Sequence, residues 1–203
     1  LEILGSLSER NFPIKNIYTL ASSDSKGKEV SFGDEVLKVE SLANFNFKDI
    51  DIAISSLDSK LSREILPTIA KSGTIVIDNS SAFRMEKDVA LVVPEINRDK
   101  IYSSTSNIIS NPNCCAIPLT MVLKALSEKA KVIRAVVSTY QSTSGAGRKA
   151  MDELYNQTKK IYMYQELEHN VFSKQIAFNL IPQIDELRED NYTQEEFKII
   201  QET

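Results

Sequence analysis

Two short apolar runs, Asp51-Ile52-Ala53-Ile54-Ser55 and Thr74-Ile75-Val76-Ile77-Asp78, flank a segment of helical periodicity, Lys60 to Lys71, which Gly73 closes. Strands that are apolar at nearly every position suit a sheet covered on both faces, which in practice means a parallel one. A third run of the same kind, Ala90-Leu91-Val92-Val93, repeats the pattern. The chain is therefore expected to be α/β, with a parallel sheet and crossover helices. Ahead of this unit come a helix over 1–10, a strand over 16–21, a polar loop over 22–28 and a hairpin over 29–40 turning at Gly33-Asp34. After it come a helix over 116–128, a strand over 131–140, a long polar helix over 148–165 and a loop over 166–174. An extended stretch over 175–184 and a helix over 193–203 follow. A shift in composition near 110–114 divides the chain into 1–113 and 114–203.

Composition narrows the partners. The net charge is −4 and no dense block of Lys and Arg occurs, which argues against nucleic acid and anionic membranes. No apolar run is long enough to span a bilayer, and the start, Leu1-Glu2-Ile3-Leu4-Gly5, lacks the basic region of a signal peptide. The two cysteines are neighbours, a strained arrangement for a disulfide, so a reducing, cytoplasmic setting is expected. The single His169 is distant from both, and no metal-ligand spacing is present.

Asn111-Pro112-Asn113-Cys114 hands a turn over to an apolar helical run. Backbone N–H groups at a helix start favour thiolate over thiol, which makes Cys114 a candidate nucleophile rather than a packing residue. The same N–H groups would suit an oxyanion beside the sulfur. One turn is not expected to aim both thiols at one cleft, so Cys115 reads as packing. Gln141-Ser142-Thr143-Ser144-Gly145-Ala146-Gly147, between a strand and a helix, is either an anion-binding loop or a plain turn. Arg84 ends the run that leaves the 74–78 strand, where ligands of open sheets gather. It is either an anion fork or a surface partner of Glu86 or Asp88. Glu195 and Lys198, three apart, share one helix face as an ion pair or as a recognition pair for a zwitterionic or phosphorylated substrate. His169, in a polar loop, reads as a surface residue.

Six segments in order resemble the aspartate-semialdehyde dehydrogenase family. They are Asp78-Asn79-Ser80-Ser81-Ala82-Phe83-Arg84, Val93-Pro94-Glu95-Ile96-Asn97, Ser110-Asn111-Pro112-Asn113-Cys114, Val137-Ser138-Thr139-Tyr140-Gln141, Ser144-Gly145-Ala146-Gly147 and Ile181-Pro182-Gln183-Ile184-Asp185. The resemblance implies a Rossmann-type NAD(P)-binding domain followed by an α+β catalytic and dimerisation domain, each incomplete here, in a homodimer. It implies NADP-dependent reduction of L-aspartyl 4-phosphate to the semialdehyde, with release of phosphate, on the route to lysine, threonine, methionine and isoleucine. Cys114 is then the nucleophile that forms a thioacyl intermediate, and Gln141 orients the substrate. Arg84 and Lys198 meet phosphate, and Glu195 meets the substrate amine. Ser144 and Gly145 lie near the nicotinamide, and Asp24 and Ser25 near the adenosine 2′-phosphate.

Three features depart from the family pattern. The family's first strand and Gly-rich loop would precede Leu1, and its general-base His and a further substrate Arg would follow Thr203. Asp24 stands where an Arg is usual, so its carboxylate opposes a 2′-phosphate unless Lys26 compensates. The chain accordingly reads as an internal piece of the enzyme without turnover of its own, or as a non-catalytic binding module keeping the fold. An N-acetylglutamyl phosphate reductase fits less well, because its cysteine motif differs from Asn-Pro-Asn-Cys.

Overall fold

The computed structural model describes residues 1–203. Helix α1 (Glu2–Glu9) leads to strand β1 (Thr19–Ala21), and strands β2 (Glu29–Phe32) and β3 (Glu35–Ser41) form the expected hairpin. Gly33 at its tip has φ +57°, and a Cβ there would meet Ser8 Oγ at 2.7 Å, so both conformation and space favour glycine. β1 pairs parallel with β3 and β2 antiparallel with it, in a sheet ordered β1-β3-β2.

The second sheet holds β4 (Ile52–Ser55), β5 (Ile75–Asp78), β6 (Ala90–Leu91) and β7 (Ile108–Ser110). Its order is β4-β5-β7-β6 and every pairing is parallel, as the strand–helix–strand pattern predicts. Helix α2 (Ser59–Lys71) crosses between β4 and β5. Asp58 caps its start, accepting from the N–H groups of Lys60 and Leu61 at 3.0 Å each. Leu66 and Ile69 of α2 pack on Val76, Ile108, Ala82 and Phe83, which together form the core. The opposite face of this sheet leaves Ile52, Ile54 and Ile75 exposed, so only one face is covered here.

Strand β7 and the short helices α3 (Pro94–Asn97) and α4 (Lys100–Ser103) are not evident in the sequence. β7 offers three ladder residues in a serine-rich stretch, too few for a period to register. Helices α5 (Ala116–Ser127), α6 (Arg148–Tyr162) and α7 (Gln194–Glu202) match expectation. Thr193 and Glu196 close a reciprocal capping box at the start of α7.

Two strand expectations are corrected. Lys131–Tyr140 joins no ladder, and Ile133, Val136 and Tyr140 face solvent. Its β-branched composition is a propensity only, and no strand of this chain lies beside it to supply the hydrogen bonds. The stretch 175–184 is likewise not a strand. The N–H groups of Ile176 and Ala177 donate to Gln157 Oε1 of α6, at 2.9 and 3.2 Å. Neighbouring Glu153 is buried and accepts from the N–H groups of Asn170 (2.9 Å), Val171 (2.5 Å) and Phe172 (3.3 Å). Side chains of α6 thus do for 170–177 what a neighbouring strand would do. Glu153→Ala leaves these donors without their charged acceptor and is expected to cost about 3 kcal/mol. Urea denaturation measures it, and a loss below about 1 kcal/mol would show the clamp to be dispensable.

Candidate active site

The loops leaving β5 and β7 lie side by side at the carboxyl ends of adjacent strands, where α/β sheets gather ligands. Buried Asp78 braces the first loop, accepting from Ser80 Oγ at 2.6 Å and from the Ser80 N–H at 3.1 Å. The loops are joined twice: Asn111 N–H donates to the Asp78 carbonyl at 2.8 Å, and Asn111 Nδ2 to Asn79 Oδ1 at 2.6 Å. Pro112 and Asn113 are buried and Cys114 is exposed, so the turn presents the thiol outward from a fixed base.

Asn113 sets the turn. Its Oδ1 accepts from the Cys115 N–H at 2.8 Å, an Asx turn that leads into α5 with Cys115 as the N-cap. The two thiols therefore share one site, which corrects the expectation that the turn separates them. The backbone curls toward helical geometry at Cys115 (φ −86°, ψ −30°), where successive side chains diverge by about 100° rather than pointing to opposite sides. Both sulfurs and a Glu195 carboxylate oxygen lie within 4.8 Å of one another. That is also a set of potential metal ligands, which spacing along the sequence does not reveal. Burial pushes the Cys115 thiol up to about 11, with nearby Cys114 and the Glu195 carboxylate adding to the effect.

Glu195, in the first turn of α7, is buried, and its Oε1 is the centre of a small network. It accepts from Asn113 Nδ2 at 2.9 Å and from Gln141 Nε2 at 3.2 Å. Lys198 Nζ lies 3.5 Å from Glu195 Oε2, so the expected pair on one face of α7 is formed. A closer partner, Asp185 at 2.7 Å, has no signal in the sequence beyond its motif. Burial raises the Asp185 carboxyl, but the hydrogen bond from Lys198 and the Glu186 N–H outweigh it and hold it below its ordinary value. For Lys198 burial acts downward, and the Asp185 and Glu195 carboxylates prevail to raise it.

Arg84 does not pair with Glu86, which meets Arg63 instead at 3.1 Å, and it does not stand open in the cleft. Its Nη1 donates to both carboxylate oxygens of Glu202, at 3.0 and 3.2 Å, and its Nη2 to the Asn79 carbonyl at 3.0 Å. The side chains are only 8% and 3% exposed. Glu202 also accepts from the Asn113 N–H at 2.5 Å, so one carboxylate of α7 joins the arginine to the cysteine turn. Glu202 is the principal residue that sequence reasoning missed. A lone acid on the far side of a helical turn carries no signal of its own.

Ser144 and Gly145 lie in a single 3₁₀ turn, Thr143–Ala146, which the Ser142 side chain caps. The turn borders an open cleft of about 410 Å³ lined by Ser142, Thr143, Ser144, Met151, Tyr155 and neighbours. A Cβ at Gly145 would meet nothing within 4 Å, so the cleft is not closed there. Asp24 and Ser25 form a second 3₁₀ turn, far along the chain beside β1. Lys28 Nζ bonds Ser25 Oγ at 3.2 Å, which brings another cation to that loop. His169 is exposed in the 166–174 loop, as expected of a surface residue. No helix is long and apolar enough to cross a membrane.

Residues 1–104 match the semialdehyde dehydrogenase NAD binding domain, and residues 123–203 the semialdehyde dehydrogenase dimerisation domain. Aspartate-semialdehyde dehydrogenase of Rickettsia bellii is 51% identical over 98% of this chain and 59% of its own length. That of Aquifex aeolicus is 46% identical over 97% of this chain and 59% of its own. The crystal structure of aspartate semialdehyde dehydrogenase II from Vibrio cholerae superimposes with a TM-score of 0.95 at 41% identity. It covers 99% of this chain and 61% of that one, and a structure of the same enzyme complexed with ASA fits as closely. The chain thus spans about 60% of the length of the relatives it matches. Two matched domains in family order, 51% identity over 98% of the chain and a shared fold place this chain in the aspartate-semialdehyde dehydrogenase family.

Proposed function

We propose that these residues form the substrate-binding and nucleophile-bearing part of an NADP-dependent aspartate-semialdehyde dehydrogenase. The enzyme would act as a homodimer in the cytoplasm, on the route to lysine, threonine, methionine and isoleucine. The observation that carries this reading is the network at Cys114: an exposed thiol on a fixed turn, beside a buried Glu195 held by Asn113 and Gln141. Domains of 1–113 and 114–203 meet at this turn.

In the biosynthetic direction the Cys114 thiolate adds to the acyl carbon of aspartyl phosphate. The tetrahedral oxyanion collapses, the C–O bond to phosphate breaks, and a thioester remains on sulfur. A nicotinamide held beside Ser144 and Gly145 would supply hydride to that carbon. The C–S bond then breaks, releasing the semialdehyde and returning the thiolate. Glu195 supplies the negative charge that meets the substrate ammonium, and the Gln141 amide orients the acyl group beside it. Lys198 meets the departing phosphate. Arg84, held by Glu202, contributes positive charge behind that position. The turn at Ser144 and Gly145 borders a cleft with room for a flat ring, and Ser25, with Lys26 and Lys28 offsetting Asp24, suits a 2′-phosphate.

The test is phosphate-dependent cofactor reduction by the full-length protein supplied with aspartate semialdehyde. Lys198→Ala is expected to raise the KM for phosphate about tenfold or more with a smaller change in kcat, because it removes a charge-assisted contact. An unchanged KM for phosphate would remove Lys198 from the site, and absence of any turnover would refute the assignment.

A further inference from the structure

Two sulfurs and one carboxylate oxygen converge at the turn, with all three atoms within 4.8 Å of one another. Zinc bound tetrahedrally, with bonds of about 2.3 Å to sulfur and about 2.1 Å to oxygen, sets such atoms about 3.5–3.8 Å apart. The observed spread closes by about 1 Å to reach that geometry. Rotation of the exposed Cys114 side chain about its Cα–Cβ bond supplies such a movement. The carboxylate is already oriented, since Asn113 and Gln141 hold Oε1, an arrangement typical of the shell behind a metal ligand. Lys198 opposes a cation at Glu195 Oε2 from 3.5 Å, but its shorter contact, at 2.7 Å, is to Asp185. Paired thiolates select soft or borderline cations over magnesium and calcium.

We propose that Cys114, Cys115 and Glu195 form a three-ligand site for a thiophilic divalent cation of the zinc class, with water as the fourth ligand. Each S–H bond is replaced by an S–metal bond as its proton passes to solvent, and no electrons are transferred. The cation masks the Cys114 sulfur reversibly. This masking rests on the nucleophile role proposed above, whereas binding itself rests only on the three ligand positions.

Titration of the full-length protein with Cd²⁺ alone tests the site through the thiolate-to-metal charge-transfer band. A band saturating at one Cd²⁺ per chain and erased by a chelator is expected. Cys114→Ser, Cys115→Ser and Glu195→Gln should each weaken binding by about tenfold or more. A wild-type chain without the band, saturation at half an equivalent, or a Cys115→Ser or Glu195→Gln variant that binds like the wild type would overturn the proposal. In the full-length protein Zn²⁺ should inhibit the wild type, and Cys115→Ser should keep its turnover while losing that sensitivity. Turnover without a Cd²⁺ band sinks the cation site alone, and a Cd²⁺ band without turnover sinks the enzymatic reading alone.

Discussion

Cys114→Ala in the full-length protein is expected to abolish turnover, and Cys115→Ala to leave most of it. The sulfurs are close neighbours, so position does not separate them; their surroundings do. Cys114 is exposed at the tip of a braced turn. Cys115 is half-buried, and burial with the neighbouring Cys114 and Glu195 pushes its thiol up, which disfavours thiolate there at neutral pH. A nucleophile so rarely ionised forfeits nearly all of its rate. Steady-state assays of the two variants settle the matter. Equal losses would mean that the thiols act as a unit and would sink the assignment to Cys114.

Glu202→Gln is expected to destabilise the fold by about 3–5 kcal/mol, although Glu202 has no proposed contact with substrate. Its partner Arg84 is buried with it, and removing one charge strands the other where water does not reach. The Arg84 Nε is already buried without a hydrogen-bond partner, so no spare acceptor stands by. Replacing both residues, Arg84→Met with Glu202→Leu, should recover much of the loss, because a buried ion pair exchanged whole for apolar packing is often close to neutral. Recovery stays incomplete, because a leucine at position 202 offers the Asn113 N–H no acceptor. Urea unfolding of the wild type, Arg84→Met, Glu202→Leu and the double variant gives the coupling energy. A single variant within about 1 kcal/mol of wild type would show that water relieves the stranded charge.

The parallel sheet is legible because its strands carry apolar residues nearly throughout and Gly73 closes its crossover helix. Cys114 and Gln141 stand out because their segments keep family order, and the Glu195–Lys198 contact because residues three apart share a helix face. The 131–140 run misled because a strand is defined by its partner, and composition cannot name one. β7 was lost because three residues cannot display a period. Cys115 was misplaced because a side chain's direction depends on the backbone angles of the Asx turn, which no residue type states. Glu202 and Asp185 escaped because their roles arise from residues distant in sequence that folding brings near.

The separation between Arg84 and Glu202, 118 residues, has a consequence for the order of events as the chain is made. Synthesis runs from the amino end, so the sheet with α2 has its full core before α7 exists. Until α7 docks, the Asn113 N–H has no carboxylate and the thiol rides on an unfinished turn. Thiol labelling of arrested nascent chains would therefore follow the arrival of α7, and Cys114 would report when that helix docks on the turn.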